Sequence, residues 1–229
     1  MKKFFIIGLG NFGLNIALTL VENDCEVLGM DSNREVVQRA RDFISHAIIG
    51  DASNKEVLES LALRDFDGAV ISIGQDMGAS ILIALYIKEI GIPRVIVRAI
   101  SEDHGKILKL IGVTDVIFPE RDMAIRVANK LALKNAIDYL PITDDYGIIE
   151  VTPPKSFIGK SLKDLQISTR FGCQVIGLKL PPEGGTAADI GEKGHTIRIA
   201  PSAHDIIPEN AVMIVIGKHR DIERLQGSR

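Results

Sequence analysis

Three glycines, Gly8, Gly10 and Gly13, stand between an apolar run and a helical pattern in FIIGLGNFGLNIALTLVENDCEVLGMD, residues 5–31. No other feature restricts the fold as much. Each glycine answers a different steric demand. Gly8 permits the tight turn out of a first strand. Gly10 has no Cβ, so the backbone there can approach a pyrophosphate. Gly13 lets the following helix pack close against the strand. Free N–H groups at the helix start, with the positive end of its dipole, favour phosphate. Asp31 ends the next apolar run. From there a carboxylate accepts hydrogen bonds from both ribose hydroxyls and repels a 2′-phosphate. The other reading of Asp31 is a cap on the helix that starts near Arg34.

The rest of the first half repeats the same alternation. Continuous apolar runs at Lys3–Gly8, Glu26–Met30, Ile44–Ile49, Gly68–Ile73, Arg94–Arg98 and Asp115–Phe118 read as parallel strands covered on both faces. Helical patterns lie between them at Phe12–Glu22, Arg34–Arg41, Lys55–Leu61, Met77–Ile90 and Glu102–Leu110. Ser53 and Glu56 form a capping-box pattern, and Gly91 followed by Pro93 ends the fourth helix. The fold class expected is α/β: a Rossmann-like doubly wound parallel sheet with strand order 3-2-1-4-5-6 and right-handed crossovers.

Strand ends on the carboxyl edge of such a sheet face the ligand. Gly50-Asp51-Ala52 follows strand three, Ser72-Ile73-Gly74 follows strand four, and Arg98 ends strand five. Asp51 either bonds an adenine amino group or caps the next helix. Ser72 and Ile73 offer backbone to ribose and phosphate. Arg98 either reaches phosphate or forms a surface ion pair.

From Pro119 the pattern changes. Pro119–Ala136 reads as one long helix, with Met123, Val127 and Leu131 in one row and Ala124, Ala128 and Ala132 in a neighbouring one. It either packs on its own sheet or crosses to another chain, small residues allowing close approach. Asn135–Asp145 reads as a linker. Strands at Gly147–Val151, Gln174–Leu180, Thr196–Ala200 and Ala211–Gly217 and short helices at Ser161–Leu165 and Lys218–Leu225 make a smaller α+β C-terminal domain. Glycine-rich 183–194 reads as a loop. The expected domains are 1–136, nucleotide-binding with the long helix; 137–145, linker; and 146–229.

Composition narrows the function. With 46% hydrophobic residues the chain can bury a sizeable core, and a net charge of −3 argues against nucleic acid as a partner. Cys25 and Cys173 form no CxxC pair, which suits a reducing cytosol. The first apolar run breaks at Asn11 with no small-residue cleavage site, so no signal peptide is expected, and no apolar stretch is long enough to span a bilayer. None of the five histidines (His46, His104, His195, His204, His219) has a partner at telling spacing, and HExxH and GxSxG motifs are missing. A nucleotide site without acid–base machinery points to an effector whose binding biases conformation, not to an enzyme. The competing reading is a small NAD-dependent oxidoreductase with its catalytic residue somewhere in 146–229.

The motifs GLGNFG, VLGMD, IIGDAS, VISIG and VIVRAISEDHGKILKLIGVTDVIFPERDMAIRVANKLA, with FIGKSLKDLQISTRFGCQVIGLKL and ENAVMIVIG later, resemble the RCK (KTN/TrkA-type) regulators of potassium transporters and channels over essentially the whole chain. The resemblance implies a regulatory subunit on the cytosolic face of a separate potassium-translocating membrane protein. It implies dimers through the long crossover helix, assembled into an octameric ring. Its effector would be ATP, ADP or NAD(H), held by Gly8, Gly10, Asn11, Phe12, Gly13, Asp31, Asp51, Ala52, Ser72, Ile73 and Arg98. It also implies a divalent cation at Glu120 and a cyclic dinucleotide at the C-terminal domain. ATP-responsive members often carry arginine in the glycine-rich loop, where this chain has Asn11.

Overall fold

The computed structural model describes residues 1–74, 76–132, 136–143, 145–180 and 196–227. The glycine-rich stretch 183–194 and residue 135 lie outside them. The chain forms two compact units, Met1–Pro119 and Glu120–Arg229.

The first unit is a six-stranded parallel sheet of order β3-β2-β1-β4-β5-β6. Its strands are β1 (Lys3–Ile7), β2 (Glu26–Asp31), β3 (His46–Ile49), β4 (Gly68–Ile71), β5 (Arg94–Arg98) and β6 (Asp115–Ile117). The helices between them are α1 (Asn11–Glu22), α2 (Arg34–Ala40), α3 (Lys55–Glu59), α4 (Met77–Ile90) and α5 (Glu102–Ile111). The continuous apolar runs are explained by two cores on opposite faces. Phe5 and Ile7 of β1, with Ala69, Ile71, Val95 and Val97, pack against residues of α3, α4 and α5 such as Leu58, Ile83 and Leu108. Ile6, the residue between them, joins Val27, Val70, Ala17 and Val37 on the side of α1 and α2. Successive residues of a strand point to opposite faces, so a strand buried on both must be apolar throughout.

Helix ends are set by local chemistry. Asn33, Asp76 and Ser101 cap α2, α4 and α5 through their side chains, and left-handed Gly91 and Gly112 close α4 and α5. The capping-box reading at Ser53 is corrected. Asn54 caps α3, accepting from the Glu56 N–H at 3.0 Å. Ser53 instead gives its hydroxyl and its N–H to Asp51, at 2.7 and 2.9 Å.

Helix α6 (Pro119–Ala132) lies in the second unit from Glu120 on and is followed by an antiparallel sheet of order β10-β9-β11-β8-β7. The strands are β7 (Ala136–Pro141), β8 (Tyr146–Val151), β9 (Gln174–Leu180), β10 (Thr196–Ile199) and β11 (Val212–Lys218). Short α7 (Leu162–Leu165) and α8 (Ile167–Phe171) and the C-terminal α9 (His219–Gln226) complete it. The segment expected to be a linker carries β7, which pairs antiparallel with β8 along Asp138–Pro141. Tyr139 drives that pairing: it is 1% exposed, lies over Gly147, and its hydroxyl hydrogen-bonds His219 Nε2. The core behind the sheet holds Ile149, Phe157, Phe171, Met213, Val215, Ile222 and Leu225.

None of the described residues of α6 is buried. Met123, Val127 and Leu131 are 54%, 47% and 80% exposed. Arg126 ties the helix to β7 through an ion pair with Asp138. Among the described residues no helix is long and apolar enough to cross a membrane.

Candidate functional site at the carboxyl edge of the parallel sheet

The first β-to-α turn is held by backbone geometry. Gly8 has φ +88°, a left-handed conformation, and a Cβ there would stand 2.9 Å from the Ser72 carbonyl oxygen. Its N–H donates to the Met30 carbonyl at 2.8 Å. Gly13 is tighter: a Cβ would lie 1.9 Å from the Gly8 carbonyl oxygen. At Gly10 a Cβ would meet nothing within 4 Å. Gly10 is the N-cap of α1, caps with no side chain, and the first helical turn carries no acidic residue. That end of α1 is therefore free to face an anion.

Two carboxylates stand on neighbouring strand ends. Asp31 closes β2 and accepts twice: its Oδ2 from the Leu9 N–H and its Oδ1 from the Asn33 N–H, both at 2.8 Å. It thus ties the glycine turn to the start of α2, while Asn33 serves as the cap. Each carboxylate oxygen retains capacity for a further donor. Asp51 uses Oδ1 for Ser53. That hydroxyl bond first, and the Ser53 N–H second, hold its carboxyl below the ordinary range, so it is ionised at neutral pH. Asp51 shapes the turn before α3 without capping the helix.

These groups converge on one cleft of about 300 Å³. It brings together eight of the residues expected from sequence: Gly8, Gly10, Asp31, Asp51, Ala52, Ser72, Ile73 and Arg98. Arg98 ends β5 and lies against the turn after β4; a Cβ on Gly74 would meet its Nη1 at 3.2 Å. Asn11, Phe12 and Gly13 do not line the cleft, because α1 carries them behind the turn. Asn11 is exposed, and its carbonyl accepts from Asn15 Nδ2 at 2.6 Å. Gly50, placed by the sequence on the ligand-facing strand edge, lines it too, and so does Ser32, which was not singled out from sequence. The signal for Ser32 was adjacency: it follows the carboxylate that ends β2.

Glu120 sits exposed in the first turn of α6. Among the described residues no three His, Cys, Asp or Glu side chains converge as a metal site. The described residues of one chain therefore gather no cluster of three such donors around Glu120. His104 is fully buried in α5, with Nδ1 accepting from the Ile100 N–H at 3.3 Å, and it does not line the cleft.

The TrkA-N domain model matches residues 4–119 and the TrkA-C domain model matches residues 147–227. The chain is 34% identical to Ktr system potassium uptake protein C of Bacillus subtilis (strain 168), over 98% of this chain and 96% of that one. It is 38% identical to Ktr system potassium uptake protein A of Vibrio alginolyticus, over 82% and 86% of the two chains. Among solved structures, the GsuK channel bound to NAD superposes with a TM-score of 0.65 at 16% identity, covering 99% of this chain and 40% of that one. The TrkA-N domain of the Escherichia coli inner membrane protein ybaL superposes over 56% of this chain and 94% of its own, with a TM-score of 0.51 at 20% identity. Those structural likenesses speak to fold. With both domain models in register and relatives aligned nearly end to end, the chain belongs to the TrkA-N/TrkA-C family of potassium uptake proteins.

Proposed function

We propose that this protein is a nucleotide-sensing regulatory subunit of a potassium uptake system, acting on a separate potassium-translocating membrane subunit from the inner face of the plasma membrane. One observation carries the reading. The cleft at the glycine turn offers phosphate-binding backbone and two carboxylates, in a chain aligned along 98% of its length with a potassium uptake protein.

ATP, ADP or NAD(H) enters with its phosphates at the Gly8–Gly10 turn and the start of α1. Asp31 accepts from the ribose hydroxyls, and its charge disfavours a 2′-phosphate. The open Oδ2 of Asp51 accepts from the adenine amino group, which a guanine carbonyl in that place would repel. Arg98 approaches phosphate from β5. The nucleotide is an effector: it shifts the subunit arrangement it binds more tightly, by its difference in affinity between the two arrangements.

The working division is a nucleotide domain with its crossover helix over 1–136, a junction over 137–145 that carries all of β7 but its first residue, and an effector domain over 146–229. Two apolar surfaces support self-association: the Met123–Val127–Leu131 row of α6, and a cleft of about 320 Å³ lined by Phe4, Ile16, Leu20, Ile96 and Ile117. Dimers through α6 assemble into an octameric ring. Glu120 takes a divalent cation only where a second copy brings further carboxylates to it. The second domain takes a cyclic dinucleotide at its own dimer interface.

Calorimetric titration with adenosine nucleotides, native mass measurement and potassium uptake in cells lacking the chain test the reading. Binding of an adenosine nucleotide, an oligomer, and uptake restored by the wild type but not by Gly10→Ala support it. Indifference to every adenosine compound, or turnover of a substrate with NAD, refutes it.

A further inference from the structure

We propose that Gly74 is a seat for the Arg98 guanidinium, and that Arg98, on leaving this seat for a ligand phosphate, passes the occupancy of the cleft to the turn that starts α4. This rests on the nucleotide-binding reading above and adds to it the residue pair that senses the bound state.

Gly8 and Gly74 line the same cleft for different reasons. Gly8 is left-handed, so its backbone alone disfavours a side chain. Gly74 is not left-handed. There a side chain is barred by Arg98: a Cβ would stand 3.2 Å from Nη1, 3.9 Å from Cζ and 4.0 Å from Nη2. All three atoms belong to the guanidinium head, so the missing side chain at residue 74 makes room for the charged end of Arg98 and for nothing else as close. The two ends of this contact differ in freedom. The Arg98 backbone is held: it closes β5, in register with Ile117 of β6. The next residue, Ala99, is buried and donates its N–H to the Ile117 carbonyl at 2.9 Å. After it the Ile100 N–H donates to Nδ1 of buried His104 at 3.3 Å. Only the long Arg98 side chain and the turn it lies on are left to move.

That turn leads to Asp76, the N-cap of α4. Asp76 holds the Ala79 N–H through its side chain at 2.9 Å and the Ser80 N–H through its carbonyl at 3.0 Å. Helix α4 runs for fourteen residues and packs on α3 and α5, so a shift at its root is carried along a packed element. The driving force is the guanidinium fork. Its planar donors match phosphate oxygens, and charge-assisted bonds are stronger than the neutral contacts made over a glycine. A phosphate at the Gly8–Gly10 turn shares one cleft with Arg98. Drawing the guanidinium off its seat uncovers Gly74, a residue with wide backbone freedom, at the root of α4. Seat and phosphate compete for one side chain, and the ligand shifts the balance by what it gains from Arg98.

The test is calorimetric titration of the full chain with ADP, beside amide hydrogen exchange at Ala79 and Ser80 with and without ADP. Gly74→Ala fills the seat on a backbone that accepts a Cβ. It is expected to bind ADP about threefold tighter, because Arg98 has no seat to leave. Its ADP-free exchange at the two amides is expected to match that of ADP-saturated wild type. Arg98→Gln is expected to bind ADP about tenfold more weakly and, once saturated, to show no change in exchange there. In the Arg98→Gln background, Gly74→Ala is expected to leave affinity unchanged. Equal loss of affinity from Gly74→Ala with and without Arg98 overturns the proposal, since the Cβ then merely obstructs the cleft. So does an ADP-dependent change at Ala79 and Ser80 that Arg98→Gln retains in full, a result that decides the matter even where Gly74→Ala fails to fold. Absence of ADP binding by the wild type refutes the nucleotide-site reading itself, a distinct outcome.

Discussion

The backbone N–H of Leu9 donates to Asp31 Oδ2 at 2.8 Å, so the phosphate turn after β1 is fastened to the end of β2 by the carboxylate proposed to hold the ribose. Removing that carboxylate has two effects. Asp31→Ala leaves the Leu9 and Asn33 N–H groups without their acceptor, and bonds to a charged group contribute about 1.5–3 kcal/mol each. The expected result is a loss of about 2 kcal/mol in urea unfolding, with nucleotide affinity down at least about tenfold. Denaturation without ligand and titration with ligand separate the two effects.

Gly10 and Gly13 make a sharper pair. A Cβ at Gly10 meets nothing in the chain, whereas one at Gly13 lands 1.9 Å from the Gly8 carbonyl oxygen. Gly10→Ala is expected to fold with wild-type stability, within about 0.5 kcal/mol, and to lose nucleotide binding. Gly13→Ala is expected to lose about 3 kcal/mol or more, or to fail to fold. Circular-dichroism melting beside calorimetry reads both.

His104 gives a pH dependence whose sign follows from burial. Its side chain is fully buried in α5, and desolvation lowers its pKa below the ordinary histidine value. A depressed histidine stabilises the fold above its unfolded pKa of about 6.5 and loses that contribution as pH falls below it. Stability is expected to drop from pH 7 to 5 by up to about 1.4 kcal/mol per unit from this group. His104→Leu, whatever its own cost, should show a shallower slope in urea unfolding at the two pH values.

The two thiols should differ in reactivity. Cys25 is partly exposed, while Cys173 is buried and its thiol is pushed up to about 11, first by burial and then by the Asp221 carboxylate. One thiol is expected to titrate with a disulfide reagent at pH 8 in the native protein, and two in denaturant. A second fast native thiol would contradict the burial of Cys173, which is 1% exposed and whose Sγ would stand 2.7 Å from a Cβ on Gly217.

Tyr139 joins β7 to the start of α9 through its hydroxyl and His219 Nε2. Tyr139→Phe leaves that nitrogen without its partner and is expected to cost about 1–3 kcal/mol. Gly147→Ala, whose Cβ would sit 2.7 Å from the Tyr139 ring, should be at least as damaging. Melting curves of both variants check this.

The first unit was largely legible because its strands are buried on both faces and written as unbroken apolar runs, and because site residues of this fold sit at strand ends. Tertiary detail was not. Ser53 and Asn54 are both good caps, and Asp51 decides between them by taking the Ser53 hydroxyl. Asn11 and Phe12 adjoin the glycines in sequence, but the helix turns them away from the cleft. β7 was missed because AIDYLP offers, among its described side chains, the buried anchor Tyr139 beside a charged Asp138 and a terminal proline, as an edge strand tolerates. Its pairing with β8 is written in the partner strand, and local pattern does not reveal it.

The bare surface of α6 has a consequence for how the protein behaves on dilution. A helix of fourteen residues is marginal alone in water, and none of the described residues of this one is buried, though an Arg126–Asp138 ion pair ties it to β7. If another molecule supplies the missing cover, helical content and melting temperature become functions of protein concentration. Micromolar and nanomolar samples would then differ in fold as well as in assembly.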